Sequence, residues 1–290
     1  MTAVSMIVRR MRFPYPESLE AWWNPARPEF SQIVNAGSLS MPFLEPYLIE
    51  TMRKAKERIS DPKLLQDVDQ YIAQESTHFR QHQLFNKRIA ELGYTTVPKH
   101  EVRLKLDYDS LARNRSFTFN LAYAEGFEAM GLTVGNMLVE DREYLFGKSE
   151  PSVASLILWH FVEEIEHKTV TYDVFKALDG RYAWRIYGLL YATIHIFFRS
   201  WQAYRQLLIE DGRWYNLGNR ITIYLLLARI FRKLAPRLAR IFKPGYDPRE
   251  VPDPDWVKQW WRLHREGSDT LGELDMNRLS EPVPVPKKSA

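Results

Sequence analysis

The chain contains no cysteine. Disulfides, thiolate metal sites and cysteine nucleophiles are therefore excluded, and only histidine and carboxylate remain as strong metal ligands, suited to a borderline or hard cation. Also missing is any unbroken run of the roughly 20 apolar residues that a membrane span requires. His195, Arg199, Gln202 and Arg205 interrupt the apolar segment Trp184 to Leu208, and Arg229 and Arg232 interrupt Trp214 to Ile241. The short apolar stretch at the start runs directly into Arg9, Arg10 and Arg12, which is not the pattern of a secretory signal. A cytoplasmic location is the expectation. No nucleic-acid-binding motif occurs, and no such partner is expected. Histidine is scarce, at seven residues, so its placement is informative.

With 290 residues and 34.3 kDa, the chain can bury one large core. The net charge of +4 conceals an asymmetry. Between Arg229 and Lys243 stand six cations and no acid, interleaved with Ile230, Phe231, Leu234, Leu238, Ile241 and Phe242. Such a basic amphipathic stretch suits peripheral contact with anionic lipid, or a helix that covers the core and shows its charge to water.

Two segments carry the same chemistry. Glu75-Ser76-Thr77-His78 and Glu164-Ile165-Glu166-His167 each place a carboxylate and an imidazole three residues apart. Chance predicts about half of one such pair in a chain of this composition. On a helix, Glu75, His78 and His82 fall within an arc of roughly 60°, and so do His160, Glu164 and His167. Each triplet can therefore aim at one point. Their neighbours are apolar: Tyr71, Ile72 and Phe79 around the first, Leu158, Trp159, Phe161, Val162 and Ile165 around the second. Carboxylates in such company must be paired or metal-bound.

A dimetal four-helix bundle takes a Glu from each of two helices and a Glu-x-x-His from each of the other two. That inventory is filled in order, by Glu45 or Glu50, Glu75 with His78, Glu125 or Glu128, then Glu164 with His167. Spacing does not choose within Glu45 and Glu50, about 140° apart on a helix, nor within Glu125 and Glu128. His160 is a third potential ligand on the fourth helix. His82 is a further ligand or a supporting group behind one. Glu163, at the edge of the arc, suits that supporting role, and Glu166 suits pairing with a cation. His100, His195 and His264 lack acidic partners at helical spacing and read as structural.

The expected fold is all-α, a ferritin-like four-helix bundle with additional C-terminal helices. Residues 1–36, punctuated by prolines, read as an N-terminal arm, 37–180 as the bundle, 181–243 as apolar and basic helices packed on it, and 244–290 as an extended tail with a short helix from Trp256 to His264. Within the bundle the spacing predicts helices from about Ser40 to Ile59, from Asp61-Pro62 to about Leu92, from Ser110 to Asp141 and from Pro151 to Asp179. Val102, Leu104 and Leu106 alternate with polar residues, so 94–107 reads as a short strand or a bridging loop.

The run from Gln74 to Asn86 and the run from Trp159 to Asp173 resemble the bacterial family of predicted metal-dependent hydrolases, as does the later stretch Lys243 to Pro248. The resemblance extends over about residues 8–265. It aligns Glu45 with the family's first-helix carboxylate and Glu125 with the third. The chain departs from the family pattern at Leu44, where a Gly is common, and at Gly126, where a His often follows the Glu. The set Glu45, Glu75, His78, Glu125, His160, Glu164 and His167 is also similar to the ligands of di-iron N-oxygenases, which carry an extra His on the fourth helix.

These resemblances imply two metal ions, iron first, with manganese or zinc as alternatives, and a small-molecule substrate. The first functional expectation is oxygen-activating oxidation at a di-iron site, which calls for an electron donor as partner. Metal-dependent hydrolysis is the alternative, and a non-catalytic iron-binding protein the third reading. Tyr71, Tyr123, Trp159 and Phe161 suit a pocket wall or ordinary core.

Overall fold

The computed structural model describes residues 6–264 and 273–285. The described part is all-α: apart from one isolated bridge between Leu274 and Pro284, every regular element in it is helical. The expectations for residues 1–5, 265–272 and 286–290 fall outside the described residues.

The first helix, α1 (Pro28–Ser38), already starts within the stretch expected to be an irregular arm. Pro28 breaks no helix because it sits in the first turn, where its missing N–H has no partner to lose. Next come α2 (Met41–Lys56) and α3 (Pro62–Glu91). The Asp61 carboxylate caps α3, accepting from the Lys63 amide at 2.9 Å, and Gly93, at φ +97°, turns the chain after it.

Residues 94–107 form neither strand nor loop but most of α4 (Thr96–Asn114). The helix buries Val97, His100, Leu104, Tyr108 and Leu111, a stripe of helical period. The alternation that suggested a strand came from Val102 and Leu106, which are exposed. A new helix, α5 (Phe117–Glu140), therefore starts later than Ser110, with the Ser116 hydroxyl accepting from the Phe119 amide at 3.2 Å.

Of the 24 residues of α5, 20 are buried, which marks it as the central helix. After the short α6 (Arg142–Phe146) come α7 (Pro151–Glu166) and α8 (Val170–Leu178). The expected fourth helix is thus broken at His167–Thr169, and His167 is the residue that ends α7. α9 (Tyr182–Glu210) lies along α5 at backbone contact: a Cβ on Gly126 would stand 2.4 Å from the Leu189 nitrogen, and one on Gly188 2.0 Å from the Ala122 oxygen. α10 (Leu217–Ile241) returns antiparallel and packs on α5 and α1. A 3-10 turn at Pro248–Glu250 and α11 (Asp255–Leu263) follow. None of the described helices is long and apolar enough to cross a membrane.

Candidate metal centre

The two Glu-x-x-His pairs converge. α2 contributes Glu45, α3 contributes Glu75 and His78, α5 contributes Glu128, and α7 with its end contributes His160, Glu164 and His167, all buried. Their candidate donor atoms fall into overlapping groups within which every pair lies inside 4.8 Å. In one group, the Nε2 of His167 stands 3.3 Å from a carboxylate oxygen of each of Glu75, Glu128 and Glu164. The other three groups overlap, Glu45 with Glu75 and His78, His78 with His160 and Glu164, and Glu45 with His82 and His160: His78 Nδ1 lies 3.9 Å from Glu75 and 3.6 Å from Glu164, and His160 lies 3.1 Å from Glu164 and 3.9 Å from Glu45. Glu75 and Glu164 each belong to the His167 group and to one of the others.

Four carboxylates buried this close together cannot all stay ionised without compensating positive charge. Burial, and then the neighbouring carboxylates, push Glu45 and Glu75 well above the usual carboxylate range, and Glu128 up to about 7. Burial also acts against the charge on Glu164, but the positive charge of the neighbouring His167 holds it well below that range. Burial opposes the His78 imidazolium, yet the hydrogen bond to Glu163 and the nearby Glu164 and Glu75 carboxylates raise it to about 9.

The residues fit a metal pair by a second criterion. Both oxygens of Glu45, both of Glu75, one of Glu128 and the Nδ1 of His78 are buried without a hydrogen-bond partner. Buried polar atoms are normally satisfied; both oxygens of Glu125 and the Trp159 indole nitrogen are also without a partner, but these six atoms are gathered in the converging groups.

Behind the donors runs a ring of hydrogen bonds. The His78 Nε2–H donates to Glu163 at 3.0 Å, and Glu163 and Glu166 both accept from Arg9, at 2.9 and 2.8 Å. Gln74 donates to Glu166 at 2.7 Å and accepts from the His167 Nδ1–H at 3.1 Å. One arginine of the N-terminal arm thus fixes the orientation of both imidazoles, the role that outer partners play at metal sites. A second chain fixes a tautomer. The Ser38 hydroxyl donates to Asn86 at 2.6 Å, so it accepts from His82 Nδ1–H at 2.8 Å. His82 Nε2 must then accept from His160 Nδ1–H at 2.7 Å, which leaves the His160 Nε2 lone pair facing Glu164.

Two expected ligands stand elsewhere. Glu50 lies half-exposed on the outer face of α2, 3.4 Å from Lys54. Glu125 points from α5 toward α9, where its nearest cation is Arg185 at 3.8 Å, and burial raises it to about 8 despite that arginine. The α5 carboxylate among the converging groups is Glu128, which also accepts from the Tyr71 hydroxyl at 2.7 Å. Gly126 has no room for the family's His, since it touches the α9 backbone. His82 has both ring nitrogens engaged, and Glu163 and Glu166 are held by Arg9. The remaining histidines are tied into packing: His100 donates to the Arg199 carbonyl, His195 to Asp107, and His264 to the Trp260 carbonyl. Sequence reasoning passed over Arg9 and Gln74; Gln74 adjoins Glu75, but nothing local marks Arg9.

Beside the cluster is a cavity of about 220 Å³. Its walls are apolar side chains of α1, α5, α7, α9 and α10, and its polar end is formed by His82, His160 and Glu164.

The sequence profile of a family described as "Predicted metal-dependent hydrolase" matches residues 7–251. The chain belongs to this family. The match takes in Arg9 and every residue of the converging groups. A search of curated proteins and a search of solved structures each return no significant match.

Proposed function

We propose that the chain is a dinuclear metalloenzyme that hydrolyses a small-molecule substrate. The observation that carries this reading is the position of Glu75 and Glu164, each facing two groups of donors whose remaining oxygens have no partner in the protein. Glu45, Glu75, His78, Glu164 and His160 would hold one ion, and Glu75, Glu128, Glu164 and His167 the other. Bound there, a metal pair would polarise a carbonyl or phosphoryl oxygen and bring the pKa of a bound water near neutrality. The chain's own residues supply the rest. Arg9 and Gln74 orient two imidazoles, Ser38 and His82 hold the proton of a third on the nitrogen away from the site, and the apolar walls exclude bulk water. The family description supports hydrolysis as the reaction class.

Oxygen activation at a di-iron pair is the second reading. The extra imidazole of His160 and the apolar cavity against it favour this chemistry. Metal quantification and an optical spectrum of protein purified without added metal decide between the two. Two zinc or manganese ions per chain with no visible absorption support hydrolysis. Two iron ions with absorption that responds to dioxygen replace it with oxidation. One ion or none per chain overturns the dinuclear proposal.

A further inference from the structure

Two helices of this molecule are apolar on the side facing away from the core. On α9, Tyr187, Leu190, Ile194, Phe197, Phe198 and Trp201 are exposed at spacings of three and four residues. On α10, Leu217, Ile221, Tyr224, Leu225 and Phe231 do the same, with Ile194, Leu225 and Phe231 66%, 67% and 71% exposed. Single exposed apolar residues need no explanation, but stripes along two successive helices do. A helix that only covered a core would turn polar groups outward.

Charge identifies the occupant. The only acidic residue in α9 and α10 is Glu210, at the end of α9, and residues 212–246 contain eight cations and no acid. Arg229 and Lys233 share the carboxylate of Asp141, and Arg237 pairs with Glu140. Exposed Arg232, Arg240 and Lys243 are left beside the apolar stripe. A large apolar face rimmed by unneutralised cations matches the interface of an anionic bilayer, where acyl chains lie under negative headgroups. Because no described helix is long and apolar enough to span, the contact is one of lying on the surface.

The cavity beside the metal centre is lined by Ile196, Phe197 and Ser200 of α9 and by Ile230 and Leu234 of α10. Phe197 is at once a wall of the cavity and part of the outward stripe. The cavity thus runs from the acid and imidazole cluster to the apolar face, between the two helices. At about 220 Å³ it exceeds the cavity of roughly 150 Å³ that takes up benzene in an apolar core.

We infer that the α9 and α10 face docks on an anionic lipid surface and that the cavity takes an acyl chain from that surface to the metal centre, so that the substrate is a lipid. The inference rests on the proposed metal centre, to which it assigns a substrate class. An acyl chain entering by this route stays in apolar surroundings throughout, with only its polar head reaching Glu164 and His160.

The first test is flotation of full-length protein with vesicles of phosphatidylcholine, alone or mixed with phosphatidylglycerol. The wild type is expected to float with the mixed vesicles. Arg232→Glu combined with Arg240→Glu weakens that binding by at least about thirtyfold, since each cation near such a surface contributes comparably. Leu225→Glu combined with Phe231→Glu abolishes it, with unchanged melting temperature. Equal flotation with both vesicle types, or none, overturns the docking. So does a dimer in light scattering that the Leu225 and Phe231 substitutions split, because the face would then belong to a second copy.

The second test is fluorescence titration with cis-parinaric acid. A Cβ on Gly37, which lines the cavity, meets nothing within 4 Å, so Gly37→Leu extends into open space. It should abolish probe binding while metal content and flotation persist, and Val134→Phe, on the same wall, should do likewise. Undiminished probe binding in both variants overturns the acyl-chain assignment. Metal content, measured separately, reports on the dinuclear proposal: protein that floats and binds the probe but holds no metal defeats that proposal and leaves the lipid surface standing.

Discussion

At the scale of single residues, the chemistry depends on which carboxylates share an ion. If Glu164 faces both ions, Glu164→Ala should release both, whereas Glu128→Ala should release one. Glu125→Gln should keep both, because that side chain lies against Arg185 rather than among the donors. Elemental analysis of the three variants beside the wild type measures this directly. Titration gives a second expectation. In metal-free protein Glu128 and Glu125 sit at about 7 and about 8, above their ordinary 4.5, and His78 at about 9, above 6.5. Raised pKa values mean that the folded state holds protons the unfolded state releases, so this stabilisation is lost as pH rises through those values. Metal-free protein should therefore melt progressively lower between about pH 7 and 9. Metal-loaded protein should show the opposite slope, because the ligands must shed those protons to bind; calorimetry with and without chelator checks both. Legibility at this scale had a clear limit. Helical spacing placed Glu75, His78, His160, Glu164 and His167 on common arcs, but Glu125 and Glu128 are only about 60° apart on α5. The direction of Arg185 and His167, which come from other helices, separates them.

At the scale of elements, the prominent features are a close helix contact and a strap. α5 and α9 touch through Gly126 and Gly188, with no space for a side chain on either. Gly188→Ala should cost about 1–3 kcal/mol through overpacking, visible as a lower urea midpoint. Arg9 belongs to a segment with no regular structure, yet its guanidinium holds two fully buried carboxylates and lies 5.0 Å from the Trp260 ring of α11. Removing it leaves Glu163 to His78 and Glu166 to Gln74, with no arginine for either charge. Arg9→Met should lower stability by about 3–5 kcal/mol in denaturant titration and weaken metal binding about 10- to 100-fold. The helices carrying the two motifs were legible because both are long in apolar periodicity. α4 was not, because exposed Val102 and Leu106 imitate a strand. The break between α7 and α8 was not either, since no proline or glycine marks it.

At the scale of the whole molecule, metal and fold should be one system. The converging groups draw on α2, α3, α5 and α7, so binding of the proposed two ions would tie together segments from Glu45 to His167. A ligand that binds only the folded state at a thousandfold above its Kd adds about 4 kcal/mol. Chelation should thus lower the melting temperature by on the order of 10 °C, reversibly on adding metal back. The sequence by itself determined the helical class, the restriction of candidate ligands to His and carboxylate, and the helical spacing of each Glu with its His, because these follow from residue type and a period of 3.6. It also ruled out sulfur ligation. Tertiary structure alone decided that Glu128 and not Glu125 joins the donors, that Arg9 ties two of the imidazoles, and that α9 and α10 turn apolar stripes outward around a cavity. Those outcomes depend on how separate helices rotate and approach one another, and that is fixed by packing between residues distant in the chain, such as Arg9 with Glu163 and Arg185 with Glu125, rather than by any local pattern.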